Sequence, residues 1–497
     1  MLPFNSAQGR QRLRERLTLL LFALLPLHAF LVTAGTKLLM GKGHAPLPYL
    51  ALWKEALLGA ILVLVIMEVL RKMRGVCSMQ YPSTPLRAGA VCRVDVIDVL
   101  ILVLIILSVV VTAFTHADWK LALLGFRYDF IPLVTFLVAR RVEWSETFRR
   151  ATLKVLLWVG VIVSVCGILT VFLPVKFFLW LGYSPAHSLY FANGPVAAFQ
   201  QVSETGLRRI QSTMSGPNQL GVWLLIPLSV LLVHMSSWKA TSDKRLAIST
   251  FAVCVLFVVS ALFLSFSRAA WIAAFVVCMV MLCRSVPRRL LRGVAVGAVL
   301  IVVGIAVVAS LLFPSVFFRL SSSRGHIVRP LQAIGRMVAH PFGEGLGAAG
   351  PASNRVSETC VFLRPQDDPS WAKTTPRLCV FLGSTQVQPA DHVCRCPFLP
   401  ENWYLQVGVE MGVLGFILFI ILIVLVLRRL GMQYAVCSMQ YVRGQWRPSL
   451  DSAIFLTFLG VSIAALFLHA WEDGAVAYTV WLFAATQCSL GFPLRRG

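Results

Sequence analysis

The chain is poor in charge and poorer still in acids. Of its 497 residues only 21 are Asp or Glu and 13% are charged, which excludes an ordinary water-soluble protein, since such a chain carries about a quarter of its residues as charges. Long polar stretches are scarce as well, and apart from one interval every polar break is short. The 12 cysteines do not make a disulfide scaffold, because most fall in apolar runs or basic loops. A single basic face is also missing. The 45 Lys and Arg residues give a net charge of +24, but they sit in short clusters between apolar runs, which excludes a nucleic-acid surface.

What is present is apolar sequence in lengths that suit a membrane. Hydrophobic residues make up 58% of the chain and mean hydropathy is +0.78. Runs of about 20 apolar residues fall near 17–40, 49–70, 94–115, 119–139, 151–174, 218–235, 246–265, 269–283, 293–312, 404–427, 451–470 and 475–491. These runs are too continuous for barrel strands and must be helices, because lipid leaves no other way to pair the backbone. The expectation is an all-α polytopic membrane protein of about twelve transmembrane helices. The first run, behind Arg10, Arg12, Arg14 and Arg16, is too long for a signal peptide and no small-residue cleavage site ends it, so it reads as an uncleaved span.

Charge sets the sides. Arg10 to Arg16, the Arg71–Arg93 group, Arg140/Arg141/Arg149/Arg150 with Lys154, Lys239/Lys244/Arg245, Arg284/Arg288/Arg289/Arg292, Arg428/Arg429/Arg443/Arg447 and Arg495/Arg496 hold more than half of the basic residues. All fall on one side of a twelve-span arrangement. Both termini are then cytoplasmic, and the interval 313–403 is one long extracytoplasmic loop. The chain divides into an N-terminal bundle (1–312), this loop (313–403) and C-terminal helices (404–497). Cys360, Cys379, Cys394 and Cys396 all lie in the loop, where they would pair in one of three ways or stay as thiols. Asp391, His392 and the neighbouring cysteines form a weaker metal reading, lacking the second spaced pair that zinc usually takes. The hexapeptide Val76 to Tyr81 recurs as Val436 to Tyr441, with no evident physical reason.

Ionisable residues at membrane depth or at its rim are costly and therefore candidates. Lys54 fits an interfacial anchor beside Trp53, whereas Glu55 is harder to dismiss. Arg127 and Asp129 interrupt the fourth run, as a structural ion pair or as a substrate contact. Arg208 and Arg209 precede Ser215-Gly216-Pro217-Asn218, a turn that starts a helix; guanidinium groups beside unpaired helix amides suit an anionic oxygen, or a headgroup. Arg268 stands in a minimal break, Ser267-Arg268-Ala269, at the outer mouth of two helices, where phosphate is a fitting partner. Arg319, Arg324, His326 and Arg329 cluster where the long loop begins. Glu401 lies where it ends, as a general base or as a charge on a helix start. At the C-terminal side, Trp471 offers a stacking face or an interface marker, and Glu472 and Asp473 offer carboxylates for hydroxyl groups.

Taken in order, Trp53-Lys54-Glu55, Gly125-Phe126-Arg127-Tyr128, Ser212 to Asn218, Ser267 to Trp271, His340-Pro341-Phe342-Gly343-Glu344-Gly345-Leu346-Gly347, and Glu401-Asn402-Trp403-Tyr404-Leu405-Gln406 with Glu410 and Gly412 carry a resemblance over nearly the whole chain. It resembles the O-antigen ligase and O-antigen polymerase superfamily of bacterial membrane glycan transferases. The resemblance implies an inverting transfer at the outer face of the inner membrane, using no metal and no cofactor. The donor is a glycan on undecaprenyl diphosphate and the acceptor a glycolipid, a glycan or a protein. It implies Arg268 and Glu401 as catalytic residues. Arg208, Arg209, Arg319, Arg324, His326, Arg329, Asn402, Tyr404, Trp471, Glu472 and Asp473 would contact diphosphate or glycan. Two positions depart from the pattern: Glu401 stands where the family commonly has a histidine base, and His326 where it often has an arginine. Two other readings stand beside this one, a transporter or flippase of lipid-linked glycan, and a family member that has lost catalysis.

Overall fold

A computed structural model describes residues 7–41, 44–78, 94–115, 118–185, 194–202, 206–237, 244–285, 293, 297, 320–356, 358, 360–363, 368–370, 378–383, 385–394, 396–439 and 450–488. The expected run 293–312 lies almost wholly outside them. The longer helices are α1 (Ala7–Leu24), α2 (His28–Met40), α3 (Trp53–Ser78), α4 (Val96–Phe114), α5 (Trp119–Asp129), α6 (Ile131–Ala139), α7 (Glu146–Leu169), α8 (Pro217–Trp223), α9 (Leu225–Ser237), α10 (Lys244–Leu264), α11 (Arg268–Ser285), α12 (Leu320–Ala339), α13 (Trp403–Met439), α14 (Leu450–Ala464) and α15 (Gly474–Gln487). Five stretches among the described residues are long and apolar enough to cross a membrane, Gln8–Met40, Val96–Phe114, Glu146–Phe172, Pro217–Met235 and Trp403–Met432, and α5 with α6 makes a sixth bent by 46°. The chain is a helical membrane protein. Shorter apolar helices occupy 249–264, 268–283 and 451–464.

The molecule departs from an all-α chain in the polar interval. Strands β3 (Cys360–Leu363), β4 (Cys379–Leu382) and β5 (Thr385–Gln388) form a small sheet. The two strands reading Cys-Val-Phe-Leu lie parallel with like residues opposite, Cys360 against Cys379 and Leu363 against Leu382; β-branched and aromatic residues suit that pleated surface. The cysteines pair as Cys360–Cys396 and Cys379–Cys394. A second pair of strands, β1 (Gln200–Gln201) and β2 (Arg208–Arg209), joins Gln201 to Arg208 in antiparallel register.

Helix ends gather by charge. At one end Arg140 reaches Asp98 at 3.1 Å and Asp95 at 2.5 Å, Arg141 reaches Asp98 at 2.7 Å, and Arg14 lies 3.6 Å from Glu68 and 4.3 Å from the Trp144 ring centre. Asp95 and Asp98 form a reciprocal cap on α4 as well, which ties the start of that helix to the end of α6. Between the ends, Phe22, Phe136, Phe458, Trp471, Trp481 and Phe483 fill the core.

The opposite end is organised by a break in α13. Gly412 has φ 72° and ψ −173° inside the helix, so the carbonyls of Val409 and Glu410 lose their usual partners one turn on. The loop after α12 replaces those bonds: Glu344 N–H donates to the Val409 carbonyl (2.9 Å), Gly345 N–H to that of Glu410 (3.0 Å), and Val413 N–H turns to the Pro341 carbonyl (3.0 Å). A Cβ at Gly412 would lie 2.2 Å from the Pro341 carbonyl oxygen, and one at Gly343 would lie 2.5 Å from that of Glu410. The His-Pro-Phe-Gly-Glu-Gly segment is thus a backbone substitute for a missing helical turn.

Candidate functional site

Glu401 is held at the start of α13. Its backbone has φ 59°, a left-handed conformation that costs a non-glycine residue of the order of 1 kcal/mol, and it is set there by its neighbours. Asn402 accepts the Leu405 N–H at 3.0 Å and donates to the Leu466 carbonyl at 2.9 Å, capping the helix and tying it to the segment after α14. The Glu401 carboxylate meets two residues of α12, Arg329 at Oε1 and His326, whose Nδ1 lies 3.6 Å from Oε2. Three residues apart, Arg329 and His326 share a helix face. Burial holds the His326 imidazole below its ordinary pKa; Glu401 opposes that, while Arg268, Arg329 and Arg209 add to it. Burial and the neighbouring cations thus favour the neutral form of the His326 ring.

Arg209 belongs to this group through its fixed position. Nearly buried, it donates to the Ser265 carbonyl (3.0 Å), to Gln200 Oε1 (3.2 Å) and to Asn218 Oδ1 (2.7 Å). It thereby locks the start of α8 to the turn before α11, whose first residue is Arg268. Arg208 turns elsewhere. It donates to the Thr170 and Val171 carbonyls and lies 4.7 Å from the Phe178 ring centre, so it holds loop to helix.

Beyond Glu401 a cavity of about 280 Å³ opens among Lys54, Arg127, Tyr128, Gln219, Arg355, His469, Glu472 and Asp473. Gln406, one turn into α13, connects the two regions by donating to Glu472 and meeting His469 Nδ1 at 2.9 Å. Burial and the neighbouring Asp129 raise the Glu472 carboxyl well above its ordinary pKa. Arg127 pairs with Glu55 through both Nε (2.9 Å) and Nη2 (2.5 Å), and Lys54 lies 3.8 Å from the same carboxylate. Asp473 is a cap on α15, accepting from Ala475 and Val476 N–H groups, and accepts Ser215 Oγ–H at 3.0 Å.

Two expected contacts are corrected. Trp471 is 1% exposed, with Phe458 and Trp481 rings centred 5.1 and 5.2 Å away, so it packs the core and has no face for a sugar. Tyr404 is buried and its hydroxyl donates to the Ser462 carbonyl at 2.8 Å; it joins α13 to α14. In both cases an aromatic residue near a membrane rim packs inward, toward helices that its own segment does not reveal. Arg319 and the side chain of Arg324 lie outside the described residues.

Glu410 carries part of the resemblance in the sequence, but it is not among the expected site residues and its company is not legible there. Glu410 is buried two residues before the α13 break, accepts the Gly347 N–H at 3.1 Å, and neighbours Asp129 at the α5–α6 bend. Glu472 approaches the same pair. Asp129 and Glu410 are side-chain hydrogen-bond partners of one another, while one Glu472 oxygen meets no hydrogen-bond donor among the described residues. The signal available was the cost of an acid in an apolar run. In the polar interval, Glu358, Cys379, His392 and Cys394 bring donor atoms within 4.8 Å of one another, but the two sulfurs are joined as a disulfide and are not thiolate ligands. Compared with protein-family models and with curated proteins, the chain matches none.

Proposed function

We propose that the chain is a membrane glycan transferase of the O-antigen ligase or polymerase kind, moving or extending a glycan from an undecaprenyl diphosphate carrier at the outer face of the bacterial inner membrane. The observation that carries this reading is Glu401, held between Arg329 and His326 with Arg209 and Arg268 close by, where the polar interval meets apolar helices. In this reading about twelve helices put both termini in the cytoplasm, at the end where Arg14, Arg140 and Arg141 gather, and the interval 313–403 outside.

The chemistry is a single displacement. Glu401 Oε2, the oxygen that Arg329 does not engage, takes the proton of an acceptor hydroxyl. The hydroxyl oxygen bonds to the anomeric carbon, whose bond to the diphosphate oxygen breaks, and the electron pair leaves on the diphosphate. Negative charge grows on that leaving group, and Arg268 stabilises it together with Arg209, whose position is set before the reaction. Arg329 keeps the carboxylate oriented. Glycan hydroxyls occupy the cavity beside Glu472, Asp473, Lys54 and Arg127, and the acceptor is a glycolipid, a glycan or a protein.

The test is transfer by the purified protein in lipid, with an undecaprenyl diphosphate glycan, an acceptor, and measurement of released carrier diphosphate. Glu401→Gln and Arg268→Ala are each expected to lower release by about 10²-fold or more while the protein stays folded. Wild-type turnover in both variants would overturn the assignment. A second reading, a transporter or flippase of lipid-linked glycan, draws on the helix breaks at Phe130 and Gly412 with Asp129 and Glu410 beside them. Carrier crossing the bilayer without bond cleavage would favour it.

A further inference from the structure

Helix α12 is too polar to span a membrane and too apolar on one side to stand in water. Its 20 residues include Ser321, Ser322, Ser323, Arg324, His326, Arg329, Gln332 and Arg336, a composition that does not insert across lipid. Yet Ile327, Leu331, Ile334 and Val338, followed by Phe342, recur at three- and four-residue steps and so form one stripe. They are 62, 62, 41, 69 and 85% exposed, respectively. The other side of the helix is occupied: Ala333 is fully buried and packs with Met337 against Ala349, Leu405 and Val409. Arg329 and Arg336 leave the helix on the side away from the stripe, toward Glu401 and Glu344. The stripe is what remains outward.

We propose that this stripe is seated in the surface of the phospholipid bilayer, at the boundary of headgroups and acyl chains, making α12 an interfacial helix. Continuity with the lipid-facing side of α13 decides for lipid over another protein. Phe342 adjoins the Gly412 break, where a Cβ would lie 2.6 Å from the Phe342 carbonyl carbon. From there Val413, Leu414 and Ile417 carry exposed apolar surface along α13, which is long and apolar enough to cross the membrane. The stripe and that flank form one surface, and the bilayer that wets α13 meets α12 at the same level. A water-exposed patch of this size would otherwise be an association hazard. The seat also sets a height: Arg329, on the side of the helix opposite the stripe, holds Glu401 on the headgroup side of α12. The proposal does not depend on glycan transfer.

The experiment uses the full chain in nanodiscs of phosphatidylethanolamine and phosphatidylglycerol, with a benzophenone amino acid at Leu331 or Val338. Ile417 serves as the lipid-facing reference and Val387, exposed on β5, as the water-facing one. After illumination, mass spectrometry is expected to find phospholipid adducts at 331 and 338 in yields comparable with 417 and several-fold above 387. Yields no higher than at 387, or adducts to a second copy of the chain, would overturn the proposal. Should either variant fail to fold, the probe at Ile327, on the same stripe, gives the same reading. Loss of transfer with intact adducts would count against the enzyme assignment alone.

Discussion

Single residues in this protein matter most where charge is buried. Arg140 has no exposed side-chain surface and serves Asp95, Asp98 and the Cys488 carbonyl at once. Arg140→Ala takes the cation from Asp95 and leaves Asp98 with Arg141 alone, and is expected to cost about 3 kcal/mol. The loss would be read as a fall in thermal midpoint in detergent and partly recovered by adding Asp98→Asn. His326 gives a pH dependence with a defined sign. Its folded pKa lies below the ordinary value of about 6.5, so the unfolded chain binds more protons in the window between the two. Stability therefore falls as pH drops from about 6.5 toward the folded value. His326→Gln is expected to flatten that part of the midpoint–pH curve; an unchanged slope would dismiss the imidazole as its source. Most of these residues could be picked out as costly charges in apolar surroundings, but not their partners. Arg127 was visible beside Asp129, yet it pairs with Glu55, 72 positions earlier, because side chains two apart on a helix point in different directions.

At the scale of elements, the α13 break is the feature on which the site turns. Gly412→Ala must place a Cβ against the Pro341 carbonyl and adopt a left-handed φ. It is expected to cost about 2 kcal/mol or more by displacing the loop or the strained backbone. Gly59→Ala, where a Cβ meets nothing within 4 Å, should leave the thermal midpoint unchanged or raise it slightly. The glycine-dense loop was conspicuous in the sequence, whereas the break was not, since 404–427 reads as one continuous apolar run. Periodicity reports which side of a helix is apolar; it says nothing of a turn whose hydrogen bonds are supplied from elsewhere. The sheet in the polar interval was missed for a related reason. Two Cys-Val-Phe-Leu segments are each too short to signal a strand, and only their pairing makes them one. Mass spectrometry of the alkylated protein is expected to find Cys360, Cys379, Cys394 and Cys396 modified only after reduction.

For the whole molecule, the charge clusters make a topology that labelling can check. A cysteine at Val387 should react with an impermeant maleimide added to spheroplasts, and one at Arg150 should react only after lysis; the reverse pattern would invert the proposed sides. The sequence by itself determined that the chain is a helical membrane protein and where most of its helices lie. Burial of apolar length in lipid is a local property, legible in any run of sufficient size. Only the tertiary structure decided that Glu401 meets Arg329 and His326, that Trp471 and Tyr404 face inward, and that Glu410 lies beside Asp129. Those contacts join residues from separate helices, and their free energies depend on distance and desolvation that no single segment encodes.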